Sequence, residues 1–455
     1  MNPITVKEIV SASKGRLLYG DGNAVVREVS TDSRKVAADT LFIPIIGEVH
    51  DAHKFIPQVV DSGCRTIMAS EPESVQSLTD CNIILVDDTI TAMQDLSKYY
   101  LDSIGVRRIA VTGSVGKTST RDMVYYICSE KYKTGRPVAN FNNNVGVPLT
   151  IFSFDDTMEV AVFELGLDHA GDIHRYAEIT RPEAGIITNV GISHMENLGS
   201  RENIRKAKME VVDFFGPDDM LVINETCDLL NKEDITGDYR VVSVGDGDED
   251  YVVSDINDQG EKGIEFTLKT GETERRISLG VPGAHNAINA ALAIAACTKL
   301  GITMDEAIRG LKNLQLTGKR LAVREARGIR VIDDTYNAAP DSMKSAINTL
   351  MSADGTRKIA ILGGMNELGE DSRAYHEEIG RYAAEKGVDL FIGVAEKAAD
   401  MVKGAEEGGC STLWFETREE LYPELPKLLR TGDVVLIKAS NALHMDKVAD
   451  EIIKG

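Results

Sequence analysis

The stretch Arg107–Cys128 reads RRIAVTGSVGKTSTRDMVYYIC. It opens as a strand-like run (Ile109 to Thr112), passes through a glycine-containing turn and leaves as a helix. Gly113, Ser114, Val115, Gly116, Lys117, Thr118 and Ser119 therefore lie between strand and helix. There, backbone N–H groups converge on phosphate oxygens at the positive end of the helix dipole. Lys117 would neutralise β- and γ-phosphate charge, and the Thr118 hydroxyl would ligate magnesium. Val111 stands where the long form of a phosphate loop has its first glycine, so the competing reading is a glycine turn with a surface lysine.

Working outward, further strand-like runs follow in VAVFELG, AGIITNVG and DMLVIN, separated by helical segments, as a parallel sheet with crossover helices requires. Residues 238–280 read as short strands between Gly and Asp turns, an antiparallel patch. The helical run HNAINAALAIAACTKLG then closes the middle of the chain. After Leu316-Thr317-Gly318, IRVIDD, RKIAILGG, DLFIGV and DVVLIKAS resume β-α alternation. Before residue 100, TLFIPII, TIMAS and NIILV alternate with polar helical stretches. The expectation is an α/β protein of three domains. Residues 1–100 form a small α/β unit, 101–316 a phosphate-loop unit with a mostly parallel sheet and an antiparallel patch, and 317–455 a Rossmann-like, doubly wound unit.

A length of 455 residues suits three domains and two crevices between them. Fifty Lys+Arg against seventy-two Asp+Glu give a net charge of -22. That field repels phosphate backbones and anionic membrane surfaces, which argues against nucleic acid as a partner and against membrane binding. Any anionic ligand must be held by local devices such as a helix N-terminus, a few placed cations or a divalent metal. Six cysteines (Cys64, Cys81, Cys128, Cys227, Cys297 and Cys410) lie far apart with no C-x-x-C pair. With no run apolar enough to span a bilayer, the expectation is a soluble cytoplasmic protein.

Several polar residues fall at places where chemistry would use them. Glu164 ends the run VAVFELG, a carboxylate at the carboxyl edge of a parallel sheet. His194 follows the strand-like IITNV, either a solvated loop residue or a metal ligand. Lys208 sits in ENIRKAKMEVV, where the plain reading is a helix lysine paired with Glu202 or another acidic neighbour. His285, Asn286 and Asn289 open an apolar helix, and their spacing serves capping as well as contact with a purine edge. Asp333-Asp334 reads as a strand-end turn.

The segment TGSVGKT resembles the shortened phosphate loop of the Mur ligase family, ATP-dependent enzymes that build the peptide of bacterial cell-wall precursors. NFNNNVGVPLTIF (Asn140 to Phe152) is similar to a stretch of the member that adds D-alanyl-D-alanine to UDP-N-acetylmuramoyl-tripeptide. So are Thr188 to Val211, PGAHNAINAALAIAA (Pro282 to Ala296), DDTYNAAPDSM (Asp333 to Met343) and STDSRKVAADT near the N-terminus. The resemblance implies a soluble monomer that uses ATP, Mg2+ and a carbamylated lysine to form an amide through an acyl phosphate. It implies that Glu164 shares magnesium with Thr118, that His194 and a carbamylated Lys208 serve a second metal, and that Lys117, His194 and Lys208 are catalytic. It further implies that Asn286 and Asn289 meet adenine, that Arg320, Asp334 and Asn337 face ATP across the cleft with Tyr336 nearby, and that Asp32, Ser33 and Arg34 contact the uridine nucleotide. The chain departs from the family at Ala52, Ala339, Gly364, Ala439 and Asn441, where Gly, Asn, Asp, Gly and Arg are common. The alternatives are a relative joining another amine to another carboxylate, of the folylpolyglutamate synthase or cofactor amide ligase type, or a non-catalytic nucleotide-binding switch.

Overall fold

Three large sheets, of five, nine and six strands, follow one another along the chain in the computed structural model, which describes residues 1–47 and 50–455. The strand Arg107–Thr112 lies inside the nine-stranded sheet, flanked by Val160–Glu164 on one side and Ala184–Ile187 on the other, both parallel to it. Its residues alternate between two cores, Ile109 and Val111 on one face and Ala110 on the other, so both faces are covered. This is why the strands here read as continuous apolar runs. Because successive crossovers go to opposite sides of this strand, a crevice opens at its carboxyl end, and the phosphate loop, Glu164 and the segment Thr188–His194 all emerge there.

The antiparallel patch starts later than the sequence pattern suggests. Arg240–Gly245 pairs parallel with Met220–Asn224, and Tyr251–Asp258 begins parallel to it; only Ile264–Thr270 and Thr273–Leu279 run antiparallel. Strand-like composition carries no direction, and it is the connection that sets the pairing sense. A helix absent from the sequence reading, Met304–Lys312, follows Thr303, whose side chain makes a reciprocal capping box with Glu306. It packs on the helix Lys117–Ser129 so closely that a Cβ at Gly310 would stand 2.4 Å from the Tyr126 carbonyl oxygen.

The five-stranded sheet near the N-terminus shares an apolar core with one face of the nine-stranded sheet. The helix Thr89–Ile104 lies in that core through Met93, Leu96 and Tyr100. The Tyr100 hydroxyl donates to the Phe154 carbonyl at 2.7 Å. The six-stranded sheet, with Ala322–Ala326 antiparallel at its edge and the rest parallel, carries two cores of its own, one on each face. Among the described residues no helix is long and apolar enough to cross a membrane.

Candidate active site

A cleft of about 770 Å3 lies where the nine- and six-stranded sheets present their carboxyl ends to one another. Ser114 to Ser119, Glu164, His194, Asn286, Asn289, Arg320, Asp334, Tyr336 and Asn337 all line it. Gly113 stands at its base, where φ is +146° and an added Cβ would lie 1.8 Å from the Thr188 Oγ1, so no other residue fits. Gly116, at φ +83°, begins the helix Lys117–Ser129, whose N-terminus has no side-chain cap. Its first amides are thus free to receive an anion.

The loop itself is held from Thr188-Asn189. Asn189 Oδ1 accepts the N–H groups of Ser114 and Val115, each at 3.0 Å, and the Thr188 hydroxyl donates to the Val115 carbonyl at 2.6 Å. The Lys117 ammonium donates to the Gly113 carbonyl at 2.6 Å and the Ser114 carbonyl at 3.2 Å. Burial lowers its pKa while the Glu164 charge opposes that shift. It is therefore poised over the loop rather than reaching into solvent, unlike an ordinary surface lysine.

Thr118 Oγ1 donates to Glu164 Oε2 at 2.8 Å, and Asn142 Nδ2 donates to Oε1 at 2.9 Å. Arg121, with no exposed surface, lies 3.4 Å from the same Oε2. A hydroxyl and a carboxylate are hard oxygen donors, the set that magnesium prefers. Lys208, on the helix Arg201–Met209, is fully buried and its Nζ has no hydrogen-bond partner. Pairing with Glu202 does not occur, since Glu202 is exposed on the first turn of that helix. Burial, with the Lys117 charge adding, drives the Lys208 pKa well below the ordinary lysine value. A buried amine with nothing to bond is costly unless it acquires a partner. Conversion to a carbamate would supply two further oxygen donors, so the residues present fit the metal group.

His194 has φ +65° and directs Nδ1 to within 2.7 Å of Glu367 Oε2, with Asp168 Oδ1 at 3.7 Å. The contact with His194 holds the Glu367 carboxyl below the usual range. On the facing wall the Asp334 carboxylate meets the Lys438 ammonium at 2.6 Å, and the same ammonium donates to the Asn337 carbonyl at 2.7 Å. The Arg320 guanidinium stacks 3.8 Å over the Tyr336 ring. Asn286 Nδ2 donates to the Pro282 carbonyl and Asn289 Nδ2 to Asn286 Oδ1, so both amides are partly spent on their own helix start. Asn441 and Ala339 line the cleft, whereas Gly364 packs on Lys397 and Ala439 on Gly363.

Asp32, Ser33 and Arg34 do not join this group. They form a turn after Glu28–Ser30, where Arg34 Nε bonds Asp32 Oδ1 at 2.8 Å and pulls the Asp32 carboxyl down to about 2. Ala52 opens a short turn, Ala52–Phe55, beside a cluster of Asp51, His53 and Glu71. There, both His53 ring nitrogens are engaged, by Asp51 Oδ1 at 2.7 Å and the Ser70 N–H at 3.1 Å, a structural arrangement. Sequence reasoning missed Asn142, Asn189, Glu367 and Lys438 as parts of the cleft, and Arg121 buried behind Glu164. Asn142 lies in NFNNNVGVPLTIF and Asn189 in AGIITNVG, but nothing in their spacing names the atoms they hold.

A helix N-terminus open to phosphate and an oxygen-rich pocket, both faced by the six-stranded unit, suit an ATP-dependent ligase. The sequence patterns of the Mur ligase middle domain and of the Mur ligase glutamate ligase domain match residues 111–297 and 319–441. The UDP-N-acetylmuramoyl-tripeptide–D-alanyl-D-alanine ligase of Bacillus subtilis is 35% identical, covering 99% of this chain and 98% of its own. The Escherichia coli enzyme of the same name is 31% identical, covering 98% of each. The crystal structure of MurF from Acinetobacter baumannii superposes with a TM-score of 0.92 at 29% identity over 100% of both chains. That of MurF from Thermotoga maritima, in complex with ADP, gives 0.83 at 26% identity, covering 94% of this chain and 97% of that one. The chain belongs to the Mur ligase family.

Proposed function

We propose that this chain joins D-alanyl-D-alanine to UDP-N-acetylmuramoyl-tripeptide at the expense of ATP, a step in making peptidoglycan precursors. The observation that carries the reading is likeness, over nearly the whole chain, to ligases of that name. A carboxylate is a poor electrophile. Transfer of the γ-phosphoryl group to its oxygen gives an acyl phosphate and ADP. The amine nitrogen then bonds the acyl carbon, the carbon–oxygen bond to phosphate breaks, and the amine loses a proton as the amide forms.

The site supports division of this work among named residues. The free amides at the start of the helix Lys117–Ser129 and the Lys117 ammonium would cradle the β- and γ-phosphates, positioning and neutralising charge as phosphoryl transfer demands. Thr118 and Glu164 would hold one magnesium, and His194 with a carbamylated Lys208 a second. Bound there, magnesium supplies charge neutralisation on the phosphoryl oxygens. Carbamate formation needs a neutral amine: Nζ bonds the carbon of CO2 and releases one proton, and the depressed Lys208 pKa favours that form. Asn286 and Asn289 would meet adenine; Arg320, Asp334 and Asn337 would close on the nucleotide from the far wall. We assign 1–100, through Asp32, Ser33 and Arg34, to the uridine nucleotide, 101–316 to ATP and 317–455 to the amine. The six cysteines are free thiols, which supports a reducing, cytoplasmic setting.

The test is phosphate release from ATP and UDP-N-acetylmuramoyl-tripeptide, with D-alanyl-D-alanine present or absent. Release that requires the dipeptide is expected. Equal or better use of free D-alanine or an L-amino acid would overturn the amine assignment, and substrate-independent hydrolysis would favour a nucleotide switch.

A further inference from the structure

The loop that follows the strand Arg357–Gly363 reaches across the cleft to the other wall. Glu367 sits there at φ +63°, a left-handed conformation that glutamate rarely adopts, and faces His194, itself at φ +65°. Two strained non-glycine residues, one from each side of the cleft, thus meet at their tips with 2.7 Å between Glu367 Oε2 and His194 Nδ1, an ion-pair distance that lacks the alignment of a hydrogen bond and that a small turn of the ring would convert into one. The main chain is docked as well, since the Glu196 N–H donates to the Glu367 carbonyl at 3.4 Å. Backbone strain of this kind persists only where surroundings impose it, and it gathers at working sites.

A carboxylate on one ring nitrogen of histidine fixes the tautomer and ring orientation and leaves the other nitrogen for a cation. His194 has two candidates for that role. Asp168, on its own wall, stands 3.7 Å from Nδ1, and Glu367, from the opposite wall, is nearer at 2.7 Å. The six-stranded unit has its own cores, and across the cleft only Ile192 is packed against one of them among the described residues, so polar contacts like this one share in setting its position relative to His194.

We propose that Glu367 is a positioning residue that orients His194 across the cleft, so that the His194 side of the cation site is completed only when the C-terminal unit closes. The inference rests on the reading of His194 as a metal ligand. It makes closure a condition for cation binding, so phosphoryl transfer is withheld until the unit that faces the nucleotide is in place. Glu367 is half-exposed on a loop, so its replacement does not hollow the core.

The experiment counts Mn2+ bound to the full chain by electron paramagnetic resonance, with a non-hydrolysable ATP analogue present and no peptide substrate. Wild type is expected to bind two ions. Glu367→Ala should keep one and bind the other at least about tenfold more weakly, with Glu367→Gln in between. Its kcat should fall while KM for ATP changes little, and X-ray scattering should show a less closed chain with the analogue bound. Two ions bound by Glu367→Ala with wild-type affinity would overturn the proposal, as would a wild type that binds only one. Because this readout needs neither the tripeptide nor the dipeptide, failure of the amide-forming assay alone would strike the functional reading and leave the Glu367 role standing.

Discussion

The Asp122 carboxylate accepts the Thr317 backbone N–H at 2.6 Å, which ties the helix that begins at the phosphate loop to the segment leading into the C-terminal unit. The same carboxylate, with no exposed surface, also takes Arg121 at 2.6 Å and Arg136 at 2.5 Å. Arg121 in turn lies beside Glu164, so one network joins a proposed metal ligand to that segment.

Asp122→Ala leaves Arg121 buried without its main counter-charge. Breaking such a pair from one side costs about 3–5 kcal/mol. Urea unfolding is expected to show a loss of that order, and a loss below about 1 kcal/mol would mean that the network does not hold this part of the fold.

Lys117→Ala removes a side chain that bonds only loop carbonyls, so the fold should persist. Turnover should fall at least about a hundredfold, the scale for loss of one charge-stabilising group. Circular dichroism with a phosphate-release assay decides the matter; a folded variant of near wild-type rate refutes the phosphate role.

Gly113→Ala places a methyl group 1.8 Å from the Thr188 hydroxyl and at a φ that L-residues avoid. ADP affinity measured by calorimetry should drop more than about tenfold, as expected for a displaced phosphate cradle. The double variant Gly113→Ala/Thr188→Ala should recover part of that loss. No recovery would show that backbone strain, and not the clash, is responsible.

Lys208→Met should abolish turnover yet melt no lower than wild type in CO2-free buffer, because it removes a buried nitrogen with no partner. The pH dependence has a definite sign. The folded pKa of Lys208 lies below its unfolded value of about 10.4, so the unfolded chain binds the extra proton between the two. Wild-type stability relative to Lys208→Met should therefore rise as the pH climbs through that window towards about 10. Added bicarbonate should raise the wild-type melting temperature and leave the variant unchanged, since a group added only to the folded state stabilises it. A bicarbonate response in both, or in neither, would remove the carbamate assignment.

Much of this was legible in the order of residues. A strand running into Gly113, Gly116, Lys117 and Thr118 and out into a helix is a local pattern, and the crevice beside it follows from how parallel strands must be connected. The same holds for the three successive β-α units, because hydrophobic periodicity repeats within each. Strand direction in the patch after residue 238 is not legible in composition, whereas the helix Met304–Lys312 carries a local signal in its Thr303-x-x-Glu306 cap, outside the pattern of apolar runs.

Only the folded chain decides which polar atoms meet. The order of residues left Lys208 an ordinary helix lysine, and its solitude in the core appears only when the surrounding elements are packed around it. Glu367 and His194 are likewise far apart in the chain and on loops that follow strands of different sheets, and their contact exists because two separately cored units face each other across a polar cleft. Local propensity and periodicity act over a few residues, whereas desolvation and pairing depend on neighbours brought in from anywhere along the chain. The first specified the scaffold, and the second specified the chemistry of its cleft.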